Sequence, residues 1–140
     1  MRLPQVLAVV ALVFNEGHLR SIDDGHDRLD LVDEAIHLGR VLDELRPEEP
    51  EVRGLLALML LSAARRPAQV GAAGSVVVLA DQDRARWDRA MADEGLDLVR
   101  WCLRRDRPGR YQLQAAINAV HMSAASYDET DWRQILALYD

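Results

Sequence analysis

The stretch Pro50-Glu51-Val52-Arg53-Gly54-Leu55-Leu56-Ala57-Leu58-Met59-Leu60-Leu61, running on to Ala64-Arg65-Arg66-Pro67, decides how this chain folds. The segment Pro47-Glu48-Glu49-Pro50 breaks whatever helix precedes it and opens a new one. Its acidic residues complement the positive end of that helix dipole. Leu55, Leu56, Leu58, Met59, Leu60 and Leu61 then make the helix a core element, and Arg65-Arg66-Pro67 closes it. A core helix of this kind needs other helices around it, and the flanking sequence supplies them.

Upstream, Pro4 suits a first helical turn and Gly17 a helix end. Leu3, Val6, Leu7, Val10, Val13 and Phe14 follow helical spacing between them, while Ala8, Val9, Ala11 and Leu12 fill the other faces. That pattern predicts a helix buried nearly all round. Residues His18 to Arg28 are polar and Asp-rich and read as a loop. A second helix is expected from about Asp30 to Leu45, with Val32, Ala35, Ile36, Gly39 and Leu42 inward and Asp33, Glu34, His37, Arg40 and Asp43 facing water.

Downstream, residues 67–80 carry Gly71-Ala72-Ala73-Gly74 and the β-branched Ser75-Val76-Val77-Val78-Leu79, which suit a short hairpin or ordered loop. A long helix is expected from about Gln82 to Arg104, with Trp87, Met91, Leu98 and Trp101 on one face. The turn Asp106-Arg107-Pro108-Gly109 precedes a helix from about Arg110 to Ala124, with Leu113, Ala116, Ile117 and Val120 inward. Capping chemistry at Tyr127-Asp128-Glu129-Thr130-Asp131 announces a last helix from Asp131. The sum is an all-α domain of about six helices, connected as antiparallel hairpins.

Length and composition agree with one domain: 140 residues, 49% hydrophobic and 29% charged. The single Cys102 cannot form an internal disulfide, which points to a reducing, cytoplasmic compartment. Aromatics at 5% are too few for a base-stacking platform. A net charge of −6 and a pI near 5.2 argue against direct nucleic-acid binding. All 17 basic residues are Arg. The longest apolar run, Val6 to Phe14, has nine residues against the roughly 20 of a membrane span.

No catalytic or metal motif emerges. His18, His26 and His37 lie near Asp23, Asp24, Asp27 and Asp30 without ligand spacing, which reads as a solvated acidic loop. His121 follows the inward Val120 and reads as a partly buried, hydrogen-bonded His. Cys102 stands in an Arg-rich helix with no evident base and reads as a core thiol. Arg100, Arg104, Arg105, Arg107 and Arg110 crowd one helix end, where cations offset the dipole. No cofactor is expected.

One polar set is expected to organise the domain. Glu16 ends the first helix, Arg65 ends the third, and Asp83, Arg84, Arg86 and Trp87 open the fourth, so three helix ends can meet in a junction. An Arg held between carboxylates there makes a charge-assisted fork that Lys does not reproduce. In the last helix, Trp132, Ile135, Leu136 and Tyr139 match the tetratricopeptide pattern W-x2-L-G-x2-Y, with Ile135-Leu136 in place of L-G, and suit repeat packing. No 34-residue repeat runs through the chain. The last helix is barely three turns long at Asp140, as in an array cut mid-repeat.

Five blocks taken together resemble one family. They are Val13-Phe14-Asn15-Glu16-Gly17; Pro50 to Leu61 with Ala64 to Ala68; Asp81-Gln82-Asp83-Arg84-Ala85-Arg86-Trp87-Asp88; Gly109 to Ile117 with Val120-His121; and Thr130-Asp131-Trp132 through Leu138-Tyr139-Asp140. In order and spacing they are similar to the C-terminal tetratricopeptide-like extension of bacterial extracytoplasmic-function (ECF) sigma factors. The chain departs from that pattern at His18–Arg28 and Gly71–Leu79. The resemblance implies a single helical regulatory domain spanning residues 1–140, without the sigma DNA-binding domains and beginning a tetratricopeptide-like solenoid. It implies a non-enzymatic role in transcription initiation, through contacts in cis to sigma-factor domains or to RNA polymerase. No separate anti-sigma factor and no membrane partner is implied. The competing readings are a free-standing tetratricopeptide-like adaptor for an unrelated partner and a small hydrolase using His121 or Cys102.

Overall fold

A computed structural model of the chain describes residues 2–23, 29–65 and 87–123. They form five helices and, among the described residues, no strand: α1 (Leu3–Asp23), α2 (Leu29–Leu45), α3 (Pro50–Ala64), α4 (Arg89–Arg105) and α5 (Arg110–Ser123). The hairpin or loop expected at 67–80 and the helix expected from Asp131, with Trp132, Ile135, Leu136 and Tyr139, lie outside the described residues.

α3 is the axis of the packing. It opens with Pro50 in its first turn, and Val52, Leu55, Leu56, Ala57, Met59, Leu60, Leu61, Ala63 and Ala64 are all buried. α4 and α5 pack along it most extensively, α2 crosses it, and α1 reaches it while lying mainly on α2. Two apolar clusters result, one where α1 and α2 meet α3 and one where α4 and α5 meet it. On α2 the buried stripe is Val32, Ala35, Ile36, Gly39 and Leu42, as the periodicity predicts.

Four expectations are corrected. First, α1 does not stop at Gly17 but continues to Asp23. Gly17 is buried on the stripe of Leu7, Val10 and Phe14, and the Phe14 ring stacks on His18 with centroids 5.4 Å apart. Packing of that stripe offsets the roughly 1 kcal/mol that a helical Gly costs. Second, α1 is buried on one side only: Val9 is 60% and Leu12 69% exposed.

Third, α4 begins at Arg89 and not before Trp87. Asp88 is extended, with φ −72° and ψ 103°, and its carboxylate accepts from the Met91 N–H at 3.2 Å. It is therefore the N-cap of α4. The core stripe of α4 is Ala92, Gly95, Val99 and Cys102, not the large residues of the expected face. Small side chains let the two helix axes approach, so bulk moves to the flanks; Trp101 is only half-buried. Fourth, α5 buries Tyr111, Gln112, Ala115, Ala116, Ala119, Val120 and Met122, leaving Leu113 and Ile117 partly exposed. Again small residues win the contact.

Candidate functional site

The expected junction is described at three of its residues. Trp87 is 6% exposed and joins the cluster that holds Leu61, Ala64, Ala92, Ala119 and Met122. The Asp88 N–H donates to the Ala64 carbonyl at 2.7 Å, so the chain returns to the end of α3 before starting α4. Arg65, half-buried, caps α3 through its backbone N–H on the Ala63 carbonyl. The end of α3 and the approach to α4 thus meet. Glu16 does not belong to a helix end, because α1 runs on past it; it is exposed beside Leu12, Val13 and Leu31. Asp83, Arg84 and Arg86 lie outside the described residues.

A second polar centre forms at the opposite end of α3, and it explains the block Pro50–Gly54. The Glu51 carboxylate accepts from the backbone N–H groups of Tyr111 (3.3 Å) and Gln112 (3.1 Å) and from Gln112 Nε2 (3.3 Å). Glu51 therefore caps α5, a helix some 60 residues away along the chain, in addition to its position in the first turn of α3. Gln112 is buried, and its amide also donates to the Arg107 carbonyl at 2.8 Å. Two turns of chain are locked by one carboxylate and one amide.

Beside it, Arg53 Nε donates to Asp43 Oδ1 at 2.7 Å, joining α3 to the end of α2. The Arg53 guanidinium lies 4.1 Å and that of Arg105 4.3 Å from the centre of the Trp101 ring. Stacking on indole stabilises each cation by about 0.5–1 kcal/mol or more. From the sequence Arg105 reads as offsetting the helix dipole and Arg53 is not singled out; the signal available was an Arg one turn inside a helix start. Arg40 and Glu94 form a bidentate pair between α2 and α4, with the second contact at 3.0 Å. It is about half exposed and its contribution is modest.

Glu51→Ala removes the acceptor of two α5 N–H groups and is expected to lower stability by about 1–2 kcal/mol. Glu51→Gln keeps one acceptor oxygen and should recover part of the loss. Urea denaturation of both variants measures the difference; equal stability of Glu51→Ala and parent would remove the capping role.

Cys102 is 4% exposed, and its Sγ lies 3.5 Å from the Pro50 carbonyl as a donor. Burial pushes its thiol up to about 11, against the pull of Arg53 and with the help of Glu51 and Asp43. At neutral pH it is a protonated core thiol and a poor nucleophile. An unfolded thiol releases its proton near pH 9, whereas the folded chain holds it until about 11. Stability from this group is complete below pH 9 and falls as pH rises towards 11. Cys102→Ala should flatten melting temperature across that window, and a slope unchanged by the substitution would overturn the assignment.

Among the described residues no three His, Cys, Asp or Glu side chains converge in a way that could hold a metal ion. No described helix is long and apolar enough to cross a membrane. A cleft of about 200 Å³ between α1, α3 and α5 is lined by Phe14, Asn15, Leu58, Ser62, Tyr111 and Gln114. Its lining mixes apolar wall with uncharged amide and hydroxyl groups.

Fold and site thus define, among the described residues, an all-helical packing unit held by a buried central helix and by one carboxylate, Glu51, that reaches from α3 to cap α5. The chain belongs to a family of unknown function (DUF6596), which matches residues 2–103. It is also 46% identical, over 138 residues, to an uncharacterized protein of Rhizobium meliloti (strain 1021). That match takes in 99% of this chain and 33% of the relative, so the chain spans about a third of the relative's length. No solved structure matches the chain.

Proposed function

We propose that this chain is a regulatory protein-interaction domain of a bacterial ECF sigma factor, acting in transcription initiation through contacts to sigma domains in cis or to RNA polymerase. The observation that carries the reading is the ordered set of five sequence blocks similar to the C-terminal extension of those factors. The packing gives physical roles to residues within these blocks: Glu51, Arg53 and Gly54 at the α3–α5 end, and Trp87 with Asp88 at the return to α4. A domain braced in this way suits a scaffold that presents surfaces to partners.

On this reading the helices begin a tetratricopeptide-like solenoid, continued by a sixth helix from Asp131 in which Trp132, Ile135, Leu136 and Tyr139 pack the next hairpin. The domain works in the cytoplasm, without a cofactor or enzymatic reaction. The segment carrying Asp83, Arg84 and Arg86 is its polar junction beside Arg65 and Trp87, with Glu16 on the partner-facing side.

The test is co-purification of this chain with the sigma domains of the same polypeptide, produced separately. Retention of the sigma domains supports the reading. Its absence, with an independent start codon and no sigma domains encoded upstream, favours the free-standing adaptor. Arg84→Ala should either lower the melting temperature by several degrees or leave it intact and weaken retention. A variant matching the parent in both would remove the junction.

A further inference from the structure

The sequence of α1 is that of a helix enclosed on all sides, yet the fold encloses one. Leu7, Val10, Phe14 and Gly17 are buried, while Ala8, Val9 and Leu12 face outward, Val9 at 60% and Leu12 at 69% exposure. Leu12, Val13 and Glu16 border an open cleft of about 330 Å³ together with Leu31 of α2. Helical spacing carries that flank of α2 onward from Leu31 through Glu34 to the half-buried Leu38. The outer side of the α1–α2 hairpin is therefore a largely apolar surface whose central charged members among the described residues, Glu16 and Glu34, are acidic, with Arg2 at its far end.

Such a surface marks an interaction site. Its chemistry selects a partner with an apolar stripe flanked by Arg or Lys, since a chain of net charge −6 repels acidic helices and attracts basic ones. Its size argues for a tethered partner: a stable free complex buries about 800 Å² on each side, more than two exposed side chains and one shallow cleft supply. Tethering raises the effective concentration to the order of millimolar, so that a small contact suffices. The Rhizobium relative offers the tether, because about two-thirds of its length lies outside the match to this chain.

We propose that the outer face of α1 and α2, centred on Val9, Leu12 and Leu31, is the docking surface for a basic amphipathic helix of the sigma-factor portion of the same polypeptide. The proposal rests on the reading given under Proposed function and names the surface that does the binding. Contact there would give the α1 sequence the enclosure its composition calls for.

The experiment titrates the separately produced sigma domains into the 140-residue chain by calorimetry, with both brought to about millimolar concentration in place of the tether, for the parent, Leu12→Arg, Val9→Arg and the control Leu103→Arg. Leu103 is also exposed, at 58%, but belongs to α4. Leu12→Arg and Val9→Arg should weaken binding by about tenfold or more, the loss expected at the centre of a contact. Their circular dichroism and melting temperature should match the parent, because neither side chain is in the core, and Leu103→Arg should bind like the parent. If the sigma domains bind and both α1 variants bind equally well, the surface is wrong and the functional reading stands. If the parent does not bind them at all, both fail. If the chain self-associates and Leu12→Arg abolishes only that, the occupant is a second copy and the proposal is overturned.

Discussion

Leu61→Ala is expected to destabilise the folded chain by about 2–5 kcal/mol, the cost of emptying a closely packed leucine site. Leu61 is fully buried, on the side of α3 that meets α4. Its partner is an absence of side chain: a Cβ on Gly95 would lie 2.7 Å from Leu61 Cγ and 2.8 Å from its Cδ2. The pair gives an unusual double-mutant cycle. Gly95→Ala alone gains roughly 1 kcal/mol of helix propensity but drives its methyl into Leu61, with a cost of about 1–3 kcal/mol for overpacking. In the Leu61→Ala background the same methyl enters vacated space, and Gly95→Ala becomes stabilising. Urea denaturation of the four proteins measures the coupling. Additive effects would show that α3 and α4 do not cross at this pair.

Gly54→Ala is expected to lower stability by about 3 kcal/mol, against the usual benefit of replacing a helical Gly. The new Cβ would meet Gln112 Cγ at 2.6 Å, Gln112 N at 2.8 Å and Gln112 Cα at 3.0 Å. Backbone cannot rotate aside as a side chain does, so α5 must move off α3. That movement also stretches the bonds from Tyr111 and Gln112 to Glu51, so the cap is lost along with the contact. Combined with Glu51→Ala, the second substitution should therefore add little to the first. A stabilised Gly54→Ala protein would contradict the close crossing.

Both experiments probe what was half-legible in the sequence. The helices of the described core were readable because their causes are local. Pro50 opens α3, an unbroken apolar series fills it, and the 3.6-residue stripe of α2 names its own buried face, Val32 to Leu42. Boundaries were readable only where a local signal stood alone. Gly17 looks like a helix end by propensity, but its burial beside Phe14 keeps it helical. Asp88 looks like one acid among several, and only the bend at Trp87 selects it as the cap of α4.

The candidate site was legible as residue types and not as pairs. Glu51 reads as an acid complementing the dipole of its own helix; that it also caps α5 depends on a crossing set by Gly54 and Gln112. Trp101 reads as core, but the close approach of α4 through Ala92, Gly95 and Val99 leaves it at the boundary, where Arg53 of α3 and Arg105 of α4 stack on it.

By itself, then, the sequence determined that the core is helical and where the central helix lies, because periodicity, proline and capping act within a few residues of chain. Tertiary structure alone decided which helix each carboxylate caps, which small residues carry the contacts, and that one side of α1 is left open. Those outcomes depend on contacts between residues up to about 60 positions apart, such as Glu51 with Gln112, whose energies no local pattern records.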